Sequence, residues 1–177
     1  GQVFDGIFVN GDFSSWDLDL YYMQLNETFQ NRGDAGLWGA DAVINIGKTH
    51  IDPYLLLLKS HDQAATSTYL PGAEVWTFGI NWEKPISEEK KGWDLSIELA
   101  GQMGDYNDLG GGAPVGSKTD AKGYILEGWF GWSFGNAGRV HIGYLLASGD
   151  DSTRDAATGA LSENKGWVPL FTDPHAH

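Results

Sequence analysis

The sequence predicts an all-β chain folded as an antiparallel, up-and-down transmembrane β-barrel. Three observations predict this fold. Apolar and polar residues alternate along eight runs, short turns alternate with long polar loops, and aromatic residues gather at both ends of the runs. We expect about eight strands here, in one domain over residues 1–177, and we expect them to form part of a larger barrel.

The composition narrows the possible partners and chemistry. The 177 residues include 11 Lys and Arg against 24 Asp and Glu, giving a formal net charge of -13, which argues against a nucleic-acid partner. Without cysteine the chain has no disulfide and no thiolate metal site. No apolar stretch approaches the ~20 residues that a membrane-spanning helix needs. We expect no cofactor and no enzymatic activity.

Period-two alternation places apolar residues on one face of a strand and polar or small residues on the other. The fifth run places Trp76, Phe78 and Ile80 on one face, with threonine, glycine and asparagine between them. The first run, around residues 4–13, and the fourth, around 51–59, alternate less cleanly. A wet lumen would accept charged side chains without the cost of burial. The candidates for lining such a lumen are Asp17, Asp19, Asp41, Asn45, Asp94, Glu98, Glu127, Arg139 and His141.

The connections alternate in length. Short turns are predicted at residues 13–16, 47–50 and 135–138, with a medium connection at 84–92. The long polar connections are predicted at residues 26–36, 60–72, 104–122 and 149–166. Short turns at one end and long loops at the other are typical of outer-membrane barrels.

Aromatic residues flank the aliphatic middle of the runs. Tryptophan and tyrosine favour the two interfaces between membrane and water, so two aromatic rings predict a lipid-facing band about 25 Å tall. Outer-membrane lipid is therefore the first expected partner. The predicted interface aromatics are Trp16, Trp38, Trp76, Trp82, Trp93, Trp132 and Tyr144.

Alternation alone does not say which face points inward. Two other interpretations remain open at this point. A soluble ligand-binding barrel would turn the apolar face inward, and a structural barrel would anchor a protein partner through its long loops.

Other chemistry has weaker support in the residues. Asp17 with Asp19, and Asp94 with Glu98, share strand faces, but wet-lumen acids explain them better than a hydrolase does. His175 and His177 could hold a metal, yet no third ligand is evident. The loop from Asp105 begins like a calcium loop but departs from the pattern at its fifth and twelfth positions. We therefore predict no resident metal.

The C-terminal residues carry a family resemblance. The segment Ala147-Ser148-Gly149-Asp150-Asp151 is followed by a polar loop, then Pro169-Leu170-Phe171 and His175-Ala176-His177. Upstream, Trp16-Asp17-Leu18-Asp19 and Gly92-Trp93-Asp94-Leu95 share a tryptophan-aspartate strand start. These features resemble the alginate-export family of outer-membrane proteins, specifically from Ala147 onward and only generally elsewhere.

The resemblance implies an outer-membrane channel in which further strands follow the histidine segment and close a larger barrel. The last residues contain two prolines and do not alternate, so they predict no closing strand. A pore for a polyanion should present basic residues to its lumen. The polar faces offer Arg139, with Lys59 and Lys122 as further candidates, against many more acids. The residues therefore favour passage of cations or of neutral solutes such as saccharides.

Overall fold

The computed structural model describes residues 5–26, 35–60, 72–85, 91–107 and 117–149, together with 151–153, 156–157, 159, 161 and 163–167. Within these residues the chain forms one sheet of nine strands, and a single 3-10 turn lies at Gly135–Ala137. The strands are β1 (Asp5–Asp12), β2 (Trp16–Asn26), β3 (Ala35–Ile46), β4 (Thr49–Ser60), β5 (Glu74–Lys84), β6 (Lys91–Asn107), β7 (Lys118–Phe134), β8 (Arg139–Ala147) and β9 (Glu163–Asn164).

Strands β1 to β8 follow one another across the sheet in chain order, and each pairs antiparallel with the next. This confirms the prediction of an all-β, antiparallel, up-and-down sheet of about eight strands. The sheet is open, with β1 and β8 as its two edges. The first and fourth runs, which alternate poorly in sequence, both form strands.

The poor alternation of β4 arises because leucines occupy both faces of the strand. Leu55 and Leu57 lie on one face, whereas Leu58 belongs to a buried cluster on the other and Leu56 packs against that cluster. Pro53 has a separate effect on the pairing of the strand. Proline has no N–H to donate to a ladder. The register between β3 and β4 lacks assigned partners at this point, between Asp41 with Tyr54 and Ile44 with Ile51. The pairing resumes in the same register on either side, so the proline interrupts the hydrogen bonds without shifting the strand.

The predicted asymmetry of the connections is present. Residues 13–15, 47–48, 85–90 and 135–138 join strands at one end, and residues 27–34, 61–73, 108–117 and 148–162 join them at the other. We call these the turn end and the loop end. The connection predicted at 104–122 is shorter than expected, because residues 104–107 pair in register with 118–121 and extend the β6–β7 hairpin.

The hairpins are staggered along the sheet. Asp17 pairs with Val43 on β3, but β3 continues to Ile46 before its turn. In the same way Glu98 pairs with Glu127 on β7, which runs on to Phe134. At the turn end, each later hairpin therefore extends further along the strand axis than the hairpin before it. Such a stagger accompanies strand tilt in barrels, so a line of paired residues crosses this sheet diagonally.

The most deeply buried side chains lie near the loop end, on the face of the sheet that also carries Asp41 and the other charged lumen candidates. The cluster contains Leu37, Leu58 and Val75, with exposed fractions of 1%, 1% and 0%, together with Ala121. The registers align these residues across β3, β4, β5, β6 and β7. Burial on this face and exposure of the other indicate that the sheet curves with its polar face inside.

The short strand β9 pairs parallel with β7 at Asp120 and Ala121, beyond the point where β8 ends. Leu161 is buried there, and its carbonyl oxygen accepts a hydrogen bond of 2.6 Å from Thr119 Oγ1. The Trp167 N–H donates to the Ser148 carbonyl at 2.9 Å. Part of the predicted 149–166 loop is thus folded back onto the β6–β7 extension.

Candidate functional site

All nine lumen candidates lie on a single face of the sheet. The registers place Asp17, Asp19, Asp41, Asn45, Asp94, Glu98, Glu127, Arg139 and His141 on the same side. We call this side the polar face. Alternation within each strand predicts this partition, but only the pairing between strands brings the nine residues onto one continuous surface.

All seven predicted interface aromatics lie on the opposite, apolar face, and all except the half-buried Trp82 are exposed. Trp93 pairs directly with Trp132 near the turn end. Tyr22 and Trp38 pack together near the loop end, with ring centroids 4.9 Å apart. Between the two ends the outward positions of the paired strands are apolar. Two aromatic levels therefore flank an exposed aliphatic band. Tyr144 belongs to neither level, because it pairs with Gly128, which also pairs with Ile97 in the middle of the band.

A diagonal line of acids crosses the polar face. Asp12 pairs with Asp17, Asn81 pairs with Asp52 on one side and Glu98 on the other, and Glu98 pairs with Glu127. The register continues from Asp17 through Val43 to Asp52. We call Asp12, Asp17, Asp52, Glu98 and Glu127 the acidic row. It begins beside the β1–β2 turn and, because the hairpins are staggered, reaches the middle of β7.

A second acidic pair lies beside this row, where Asp19 stands directly opposite Asp41. Like charges that face each other across strands destabilise a sheet. On the polar face, the chain nevertheless places carboxylates opposite each other three times, at this pair, at Asp12 with Asp17 and at Glu98 with Glu127. Such an arrangement is tolerable where water or cations reach the carboxylates.

Glycines on the polar face let long side chains lie flat across the neighbouring strand. Tyr54 of β4 crosses Gly79 of β5, and its hydroxyl donates a 2.5 Å hydrogen bond to Glu98 on β6. A Cβ atom at Gly79 would overlap the Tyr54 ring. Tyr21 lies over Gly39 in the same way. Both glycines therefore serve as seats for aromatic rings, and one of these rings, that of Tyr54, orients the Glu98 carboxylate.

The one arginine on the described polar face is already engaged. Arg139 of β8 forms an ion pair with Asp94 of β6, which crosses Gly131 of β7. One Asp94 carboxylate oxygen is buried and has no hydrogen-bond partner. The pair cancels the positive charge locally, so the field on this face is dominated by the remaining carboxylates.

Sequence reasoning missed a titratable cluster near the turn end. His50 Nε2 lies 3.3 Å from a Glu83 oxygen and 3.6 Å from an Asp52 oxygen. The amide of Asn81 donates to Asp52 at 3.5 Å. These residues share the polar face. Alternation over residues 50–54 could have assigned His50 and Asp52 to that face, but the four leucines at 55–58 obscure the pattern of the whole run.

In the part of the chain that the structure describes, charges on the outward side appear only beyond the aromatic levels. Near the loop end, Lys59 pairs with Glu74 at 3.2 Å, and Lys118 pairs with Asp105. Near the turn end, Lys84 lies 3.6 Å from the centroid of a Trp93 ring. By register, Lys59 and Lys122 belong to the outward side, so they do not add positive charge to the polar face.

Lys122 also attaches β9 to the β6–β7 extension. Its ammonium donates to Glu163 at 2.8 Å and lies 3.5 Å from Asp120. The hydrogen bond from Lys122 lowers the pKa of Glu163 below its usual value, and the Glu163 carboxylate raises the pKa of Lys122. Both groups are exposed, so this pair is a solvent-accessible clasp.

The remaining points concern metal ligands, helical membrane spans and residues outside the described ranges. Among those residues, no group of three or more His, Asp or Glu side chains is placed to hold a metal ion. No helix within them is long and apolar enough to cross a membrane. His175, His177, most of the calcium-like loop and the Pro169-Leu170-Phe171 segment lie outside the described residues.

Comparisons with family models, curated proteins and solved structures found no match to this chain.

Proposed function

We propose that this chain forms part of the wall of an outer-membrane channel in a Gram-negative bacterium, through which small solutes pass passively. The single observation that carries the proposal is the division of the sheet into two faces. One face exposes a continuous aliphatic band between two aromatic levels, and the other carries the charges. Lipid outside and water inside satisfy both faces.

The alternative of a soluble barrel is less consistent with these surfaces. It would require the exposed residues of the apolar face to turn inward. Ile97, Leu99 and Phe130 are 38%, 53% and 42% exposed, and a soluble protein seldom exposes a contiguous apolar surface this wide. The polar face, by contrast, would gain nothing from facing lipid, because each unsatisfied charge there would cost several kcal/mol.

Both edge strands support a larger barrel. Every residue of β8 is exposed, and β1 has a similar exposure. Long free edges expose unpaired N–H and C=O groups, and each such group is energetically costly in the hydrocarbon layer of a membrane. We propose that further strands pair with β1 and β8 and close the barrel. A relation to the alginate-export family is part of this proposal, and it rests on the sequence resemblance alone.

The acidic row supplies a basis for selectivity. Rings or lines of carboxylates favour cations in pores, and the one described arginine on this face is paired with Asp94. Because the row crosses the sheet diagonally, its carboxylates lie at different heights between the turn end and the loop end. A cation that permeates from one end to the other would therefore pass from one carboxylate to the next. Neutral solutes, saccharides among them, would pass without this electrostatic assistance, and an alginate polyanion would be repelled.

Conductance of the native protein in a planar bilayer under a salt gradient tests the proposal. We expect discrete current steps and a reversal potential whose sign indicates cation selectivity. Replacing Asp52, Glu98 and Glu127 with their amides should lower the ratio of cation to anion permeability severalfold. The matched control neutralises three outward-facing acids, Glu74, Asp105 and Asp120, and should leave that ratio nearly unchanged.

Two outcomes would contradict the proposal. Anion selectivity would mean that the acidic row does not determine permeation and would favour a polyanion channel instead. Absence of current from correctly inserted protein, with a protein partner retained on the long loops, would favour a structural anchor.

A further inference from the structure

An exposed aromatic ring lies among the carboxylates of the polar face. Trp129 of β7 is 49% exposed, although its neighbours along the same face are polar or small. It stands directly opposite Ser96 on one side and Gly143 on the other. Packing can account for at most one face of this ring, so the exposure of the other face on a water-facing surface calls for a further reason.

The ring is held in a fixed orientation. A Cβ atom at Gly143 would overlap the six-membered part of the Trp129 indole, so that part lies flat against the β8 backbone. The indole N–H donates to the Glu127 carboxylate on the same strand. These two contacts leave the opposite π-face of the ring turned toward the space in front of the polar face.

The charges around the ring select the ligand. Glu127 adjoins the indole, and Glu98 pairs directly with Glu127. The nearest cation, Arg139, is engaged by Asp94 further toward the turn end. A ring face bordered by carboxylates attracts ammonium groups both through the aromatic quadrupole and through charge.

We propose that Trp129, with Glu127 and Glu98, binds the ammonium group of organic cations at this position on the polar face. The exposed face of the indole ring supplies a cation–π contact to the ammonium group, and the two carboxylates beside the ring supply negative charge. Leu145, which pairs with Glu127 and is 60% exposed, supplies apolar contact for the alkyl substituents. This inference deepens the proposed channel function, on which it rests, by naming a solute class and a binding position.

Saturation-transfer NMR with tetramethylammonium chloride on the detergent-solubilised native protein tests the site. We expect saturable, weak binding, and no comparable binding of tert-butanol, a neutral molecule of similar shape. Trp129→Leu should weaken the association about threefold to tenfold, the range for loss of one aromatic contact to a cation. Trp129→Phe keeps a ring and should fall between, and Glu127→Gln should also weaken binding.

The matched control is Trp132→Leu, which removes a similarly exposed tryptophan from the apolar face of the same strand and should leave binding unchanged. Equal binding by wild type and Trp129→Leu would overturn the site. Binding of methyl glucoside with the same dependence on Trp129, and of equal or greater strength, would overturn the ligand class. The binding assay does not depend on current, so the two proposals can fail separately. If the protein conducts but does not bind tetramethylammonium, the binding site is refuted and the channel function stands. If it binds tetramethylammonium but does not conduct, the channel function is refuted and the binding site stands.

Discussion

Placing one arginine on either face of β6 distinguishes a lipid-facing surface from a water-facing one. Ile97 lies in the aliphatic band, 38% exposed, and pairs with Gly128 midway along the span from Tyr124 to Trp132. Ser96 is its neighbour in the chain and points to the polar face. An arginine at the middle of the lipid face of a barrel costs about 2–4 kcal/mol.

We therefore expect Ile97→Arg to reduce the equilibrium constant for folding into lipid vesicles about 30-fold to 1,000-fold. Ser96→Arg introduces the same side chain among Glu83, Asp94 and Glu98, and should change the folding free energy by less than about 1 kcal/mol. Denaturant titrations in large vesicles, followed by tryptophan fluorescence, measure both values. If the variants were equally stable, or if Ser96→Arg were the less stable, the assignment of the two faces would be wrong.

Two further predictions concern local contacts. Gly79→Ala should push Tyr54 away from Glu98 and lower the free energy of unfolding by about 1–3 kcal/mol. The control is Gly128→Ala, where no atom lies nearer than 4.0 Å to the added Cβ. The same denaturant titration should show this variant to be as stable as the wild type or slightly more stable. The second prediction concerns the clasp between Lys122 and Glu163. Since the pKa of Glu163 is lowered in the folded chain, its contribution is complete above the unfolded pKa and is lost as pH falls through the folded pKa. The protection factor of the amides near Leu161, which is the exchange rate normalised to that of an unstructured peptide at the same pH, should therefore fall on acidification.

Each of these two predictions has its own refutation. If Gly79→Ala and Gly128→Ala were equally stable, the ring seat at Gly79 would have no energetic role. For the clasp, Glu163→Gln should give low protection factors near Leu161 at neutral pH and remove their pH dependence. An unchanged pH dependence in that variant would assign the acid transition to other carboxylates.

The sequence by itself carries the secondary structure and the polarity of the two faces. Alternation with period two is a local property, since successive side chains of a strand point to opposite sides whatever the strand pairs with. Trp76, Phe78 and Ile80 could therefore be assigned to one face without a structure. Turn residues such as Gly47, with a φ of 65°, likewise mark the short connections locally.

The tertiary structure decided what depends on register. Only the pairing between strands aligns Asp17, Asp52, Glu98 and Glu127 into one diagonal row, since these residues lie on four different strands. Register likewise places Lys59 and Lys122 on the outward side, against the sequence-based suggestion that they line the lumen.

Side-chain contacts between residues of different strands could not be predicted from the sequence either. The seat of Trp129 on Gly143 and the ion pair of Arg139 with Asp94 join residues on different strands. A shift of one residue in register turns every side chain of a strand to the other face. The alternation therefore determines the chemistry of each face, and the register determines which groups meet on it.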